Sequence, residues 1–163
     1  MAVKHSYLTT TFKSQRGKDD CGPTAIWNAC SYLNLAKPKY KTLLKECNIK
    51  GGGTTYTDFL SCILNHQLPF LPTRSLNKVL KSGCGFISFN LTKRKAHIVF
   101  FFKEDKRYYI VNPHKMGLNL VCQIRRKSLE KHIPKNRRAR NLWFYYEGGT
   151  EEGFLEAWKG VVL

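Results

Sequence analysis

Between residues 22 and 35, Ala25, Ile26, Ala29, Cys30 and Leu33 recur at the spacing that gathers apolar side chains on one face of a helix. Asp19 or Asp20 stands just upstream, where a carboxylate can accept from the open amides of a first turn. Shorter helices are predicted at 38–47, with Pro38 in the first turn, at 56–65 after Thr54-Thr55, and at 76–81 behind the N-cap candidate Ser75. Gly51-Gly52-Gly53 makes a loop between the helices at 38–47 and 56–65. Beyond residue 84 the pattern changes. Segments 85–90, 96–103, 107–112, 118–124 and 141–147 are rich in β-branched and aromatic residues and are separated by turns, which predicts strands of one antiparallel sheet. Short helices are expected at 128–133 and 151–159.

Helices first and strands afterwards is the order of an α+β domain, not of alternating βαβ units. The chain has 163 residues, 42% of them hydrophobic, so it is expected to form a single domain (1–163) with one sizeable core, at about 12–146. Residues 147–163 then form an acidic tail. The opening residues lack the apolar run of a secretory signal, and the longest apolar stretch, 98–102, is too short to span a bilayer. No membrane association is expected, and a cytoplasmic monomer, in a host cell or virion if the source is viral, is the corresponding expectation. The six cysteines are scattered through a chain able to build its own core, so reduced, mostly buried thiols are expected.

One of those cysteines stands apart. Cys21 opens the most regular helical pattern, where exposed amides favour a thiolate, and a nucleophilic cysteine needs its thiol pKa lowered. Gly22 leaves space beside the sulfur, and Pro23 suits a first helical turn. Gln15 lies six positions upstream in a polar loop that can fold back to present its amide, together with the Cys21 backbone amide, to an oxyanion. A tight hairpin centred on Glu104-Asp105 would set His97 opposite Asn112 on neighbouring strands, close enough for the Asn amide oxygen to orient the imidazole. An imidazole held so can offer its other nitrogen to a thiol.

These residues, in this order, resemble the papain-like cysteine peptidases. The likeness rests on Gln15, on Asp20-Cys21-Gly22-Pro23-Thr24-Ala25 opening a helix, and on Ala96-His97-Ile98-Val99 followed by Tyr109-Ile110-Val111-Asn112-Pro113. Within that superfamily the chain is most similar to the bacteriocin-processing, double-glycine-leader peptidases and their stand-alone relatives. Gly53-Thr54-Thr55-Tyr56-Thr57-Asp58 resembles the loop that precedes a helix in their middle region. The resemblance implies a helical half packed on an antiparallel sheet, with the active-site cleft between them. It also implies hydrolysis of a peptide or isopeptide bond through a thioester, without metal or cofactor. Cys21 would attack, His97 would act as base and then acid, Asn112 would orient His97, and Gln15 would line the oxyanion hole. Gly22, Asp20 and Ala96 would border the bound protein or peptide substrate. Members of the leader-processing group usually carry Asp where this chain has Asn112, whereas papain itself has Asn there.

Other features admit other readings. Gly148-Gly149 is expected to be a turn, although a double glycine is also where the resembling family cuts. Cys62 and His66 stand four apart, with Cys84 or His5 as conceivable further ligands, but no Cys-x-x-Cys pair accompanies them and no metal is expected. The formal net charge is +17, and Arg125, Arg126, Lys127, Arg137, Arg138 and Arg140 cluster late in the chain. Such a patch suits nucleic acid or an acidic protein partner. A basic nucleic-acid-binding protein and a catalytically silent papain-like module are therefore the rival readings.

Overall fold

The computed structural model describes residues 6–17, 19–49, 54–90, 96–112, 120–132 and 143–147. Helix α1 (Cys21–Tyr32) is followed by α2 (Tyr40–Glu46), α3 (Tyr56–Asn65), strand β1 (Phe70–Thr73) and α4 (Leu76–Ser82). Then come β2 (Cys84–Asn90), β3 (Ala96–Glu104), β4 (Arg107–Val111), β5 (Val121–Ile124), α5 (Arg126–His132) and β6 (Trp143–Tyr146). A 3₁₀ turn at Tyr7–Thr9 precedes them. The class is α+β, as the element order predicts.

Local chemistry accounts for the helix ends. The Thr55 hydroxyl accepts from the Asp58 amide at 3.1 Å and starts α3, and the Ser75 hydroxyl accepts from the Lys78 amide at 3.3 Å and starts α4. α2 begins at Tyr40, so Pro38 lies outside the helix that the sequence pattern assigns to it.

The sheet has six strands in the order β1-β6-β2-β3-β4-β5, each pair antiparallel. β1 is an addition to the sequence reading. It carries Pro72 and sits at the sheet edge, the place where a residue without an amide proton is tolerated. At the β2–β6 contact a Cβ on Gly85 would lie 2.0 Å from the Phe144 carbonyl oxygen, so only glycine lets these backbones approach.

The continuous apolar run on β3 has a structural reason: both faces of the sheet are covered. On one face Phe86, Phe100, Phe102 and Phe144 pack with Ala25, Ile26, Ala29 and Tyr32 of α1 and with Phe59 and Ile63 of α3. On the other, Ile87, Val99, Phe101 and Ile110 pack with Val79 and Leu80 of α4 and Leu129 of α5. α1 lies directly on β3, which brings the start of the helix to the strand that carries His97.

The β3–β4 register corrects the hairpin expected from the sequence. Glu104 pairs with Arg107 and Phe100 with Val111, so the turn residues are Asp105 and Lys106, at φ 49° and 64°. Two successive positive φ values make the turn whose twist matches the flanking strands, here formed without a glycine. Continued one step, that register sets Asn112 opposite Val99, two positions from His97.

Candidate active site

Cys21 is the first residue of α1, and its N-cap is Asp20. The Asp20 carboxylate does not cap the helix with its side chain, as the sequence suggests it would. It turns back instead, accepting from the amides of Arg16 and Gly17 at 2.9 Å each and from the Tyr40 hydroxyl at 2.6 Å. Tyr40 also meets the Thr24 hydroxyl at 3.0 Å. Burial, and then the acceptor Asp20, push the Tyr40 phenol well above its ordinary range, so it stays a donor. Asp20 is itself buried, at 4% exposure. This charge-assisted set fixes the Gln15 loop against the helix start.

Two residues further anchor that loop. The buried Asn28, two turns into α1, accepts from the Lys13 amide at 2.7 Å and donates to the Lys13 carbonyl at 2.9 Å. Its side-chain amide thus mimics a strand partner. Gln15 is buried beside Asn112: the Asn112 amide donates to Gln15 Oε1 at 2.9 Å, and Gln15 Nε2 donates to the Gly17 carbonyl at 2.8 Å. The Gln15 backbone amide approaches Asn112 Oδ1 at 3.4 Å.

His97, buried at the start of β3, contacts Asn112 through the main chain: its Nε2 lies 2.7 Å from the Asn112 carbonyl oxygen. A carbonyl only accepts, so Nε2 carries the proton and Nδ1 is the nitrogen with a lone pair in the neutral ring. Asn112 presents that carbonyl from a left-handed conformation, φ 59°, held by its own amide donating to the Leu120 carbonyl at 2.7 Å. The expected contact through the Asn112 side chain is replaced by this one because the register is displaced, which frees the side chain to reach Gln15.

The backbone amide of Ile98, the residue after His97, stands near enough to the Cys21 sulfur to favour its thiolate. Burial pushes the thiol above its ordinary value, and the amides of Ile98, Gly22 and Cys21 itself act in the opposite sense. The net direction is upward, opposite to the lowering that a nucleophile at a helix start leads one to expect. Gly22 does not open space beside the sulfur. A Cβ there would lie 2.5 Å from Thr54 Oγ1 and 2.9 Å from Thr54 Cβ, so the missing side chain lets the segment before α3 close on the first turn of α1.

The remaining sequence candidates fall as follows. Ala96 pairs with Asn90 at the start of β3, and its side chain lies outside the described residues. Arg126 donates to Glu130 at 2.9 Å and to Asn77 at 2.6 Å, with Arg125 and Lys127 beside it. Arg137, Arg138 and Arg140, the double glycine at 148–149, the triple glycine at 51–53 and the segment 151–159 lie outside the described residues. All six cysteines are free thiols, as expected. Tyr40, Asn28 and Thr54 are the residues that sequence reasoning does not single out as part of the site. Only Thr54 carries a signal, its place in the loop that resembles the family's middle region.

Two solved structures share this architecture. One is a double-glycine-motif protease from an AMS/PCAT transporter in complex with its leader peptide, 15% identical, at a TM-score of 0.61 over 85% of this chain and 91% of that one. The fold is that of a double-glycine peptidase domain. The second is the peptidase domain of Streptococcus ComA, a bifunctional ABC transporter involved in quorum sensing, 14% identical, at a TM-score of 0.59 over 81% of this chain and 93% of that one. No protein-family model matches the sequence, and no curated protein does. The α+β, papain-like architecture implied by the sequence motifs is thus the one found. Among the described residues no helix is long and apolar enough to cross a membrane.

Proposed function

We propose that the chain is a cysteine peptidase that cleaves a peptide bond with Cys21 as nucleophile and His97 as general base. The features that support this reading are Cys21 at the opening of α1 and the influence of the Ile98 amide on its sulfur, Ile98 being the residue after His97 on β3. A thiol at a helix start, served by an imidazole whose lone-pair nitrogen is defined by its other hydrogen bond, is the arrangement this reading assigns to thiol acyl transfer.

His97 Nδ1 takes the Cys21 proton as the sulfur forms its bond to the scissile carbonyl carbon, and the carbonyl electrons move to oxygen. The Cys21 backbone amide, at an N-terminal position where it has no helical partner, and the amide of Gln15 are the donors nearest that oxygen in this reading. Collapse expels the amine, which receives the proton from His97 and leaves a thioester on Cys21. Water then attacks, gives its proton to His97, and releases the acid and the thiol. The Asn112 carbonyl accepts from Nε2 throughout and favours the imidazolium formed at each step.

The fold shared with double-glycine peptidase domains supports a peptide cut after Gly-Gly. The test is cleavage of a synthetic leader-type peptide containing one Gly-Gly pair, read by mass spectrometry. The products expected are a fragment ending in Gly-Gly and its complement, absent with Cys21→Ala. Cleavage that persists with Cys21→Ala, or none by the native chain across a panel of Gly-Gly peptides, would overturn the reading.

A further inference from the structure

At the C-terminal ends of α2 and α3, three metal-ligating side chains of different chemistry converge. Glu46 ends α2, and Cys62 and His66 stand one turn apart at the end of α3. One ligand atom from each lies within 4.8 Å of the other two. His66 Nε2 is 2.6 Å from Glu46 Oε2, and the Cys62 thiol donates to that same oxygen at 3.4 Å. The Cys47 thiol neighbours that of Cys62, although it lies outside the converging group. Cys47 and Cys62 are both wholly buried, whereas the side chains of His66 and Glu46 are 23% and 27% exposed.

We propose that Glu46, Cys62 and His66 bind a zinc-type divalent cation. Thiolate, imidazole and carboxylate together suit a borderline-soft ion and disfavour magnesium or calcium, which take oxygen ligands. The geometry is close to what such an ion needs. Bond lengths of about 2.3 Å to sulfur and about 2.0 Å to oxygen at a tetrahedral angle set a sulfur–oxygen edge of about 3.5 Å. The Cys62–Glu46 separation is 3.4 Å. The His66–Glu46 edge must open from 2.6 Å to about 3.3 Å, a movement left to the two partly exposed side chains. On binding, Cys62 gives its proton to water as the metal–sulfur bond forms, and His66 ligates through the nitrogen that now faces Glu46.

An aqueous route exists, because Glu46 also lines a surface depression with Lys39, Lys41, Thr42 and Lys45. The site would clamp the end of α2 to α3 and so brace the segment whose Thr54 closes on Gly22.

This inference does not rest on the peptidase reading. The test uses the full chain carrying Cys21→Ala, which keeps Cys21 from contributing a ligand, reduced and stripped of metal, then equilibrated with zinc or cobalt(II). The expected result is uptake of a single zinc ion, a rise in melting temperature, and a cobalt spectrum with strong tetrahedral bands and sulfur charge-transfer absorption. Replacing a direct ligand, by His66→Ala or Glu46→Gln, is expected to weaken zinc binding at least as much as losing an outer-shell partner does, about 10- to 100-fold. Cys62→Ser is expected to abolish the charge-transfer absorption. Should Cys62→Ser fail to fold, the two partly exposed positions still decide the matter. Absence of stoichiometric zinc in the folded chain, or zinc binding unchanged by both His66→Ala and Glu46→Gln, would overturn the proposal.

Discussion

His97 Nε2 is hydrogen-bonded at 2.7 Å to the main-chain carbonyl of Asn112, and the Asn112 side chain points elsewhere, to Gln15. The residue that orients the imidazole thus does so with its backbone, while its side chain ties the orienting residue to the Gln15 loop. One residue thereby fixes two parts of the site.

Separate substitutions resolve the two roles. Asn112→Gly keeps the carbonyl and suits φ 59°, so it is expected to lower kcat less than tenfold, whereas His97→Ala removes a general base worth about 10²- to 10⁴-fold. Asn112→Ala keeps a Cβ in the left-handed region without the polar side chain that lets Asn tolerate it, and is expected to be less stable than Asn112→Gly by about 1 kcal/mol in urea denaturation. If Asn112→Gly loses as much activity as His97→Ala, the side chain and not the carbonyl orients the ring.

The Gly22–Thr54 approach makes a packing prediction. Gly22→Ala sets a methyl 2.5 Å from Thr54 Oγ1 and is expected to destabilise the fold by about 1–3 kcal/mol. Thr54→Gly removes all three of the atoms the new methyl meets, so the double variant is expected to recover most of that loss. Additive losses in a double-mutant cycle would show that the two do not act through each other.

Asp20 accepts from two backbone amides and the Tyr40 hydroxyl inside the fold. Asp20→Ala strands those donors and is expected to cost about 3 kcal/mol or more, with faster amide exchange at Arg16 and Gly17. Tyr40→Phe removes one of the three bonds and is expected to cost about 1 kcal/mol. Unchanged exchange at both amides in folded Asp20→Ala would contradict the anchoring role.

Stability should fall on the alkaline side. Burial raises the Cys30 thiol from 9.0 to about 11, so above pH 9 the unfolded chain releases a proton that the folded chain retains. Stability is fully present below the unfolded value and declines as pH rises through the folded one. At about 1.4 kcal/mol per pH unit, the Cys30 contribution to the loss approaches about 2.5 kcal/mol by pH 11. Cys30→Ala is less stable near neutrality because it leaves a void, yet the gap to the native chain should narrow between pH 9 and 11. A constant gap would contradict a buried, titrating Cys30.

How much of this was legible in the sequence depended on how local the cause was. α1, α3 and α4 follow from apolar spacing and from hydroxyls one residue before the first turn, both of which act within a few positions. β1 escaped because Pro72 argues against a strand, and its partner β6 lies more than seventy residues away. The hairpin register was missed because Asp105 and Lys106 adopt left-handed conformations with no glycine to announce them. Gln15, Cys21, His97 and Asn112 stood out because a helix start and a strand pair place them. The contacts that hold them, Asp20 to Tyr40, Asn28 to Lys13 and Gly22 to Thr54, join side chains to loops across the fold and leave no periodic trace.

The proposed pairing of Cys21 with His97 is tested most directly by a mechanism-based trap: a short peptide ending in Gly-Gly with an electrophile in place of the scissile amide, offered to the native chain. The expected result by intact mass and peptide mapping is a single adduct on Cys21, formed by the native chain and at least about a hundredfold more slowly by folded His97→Ala. An adduct spread over Cys122 and other thiols, or labelling of Cys21 at the same rate without His97, would contradict it.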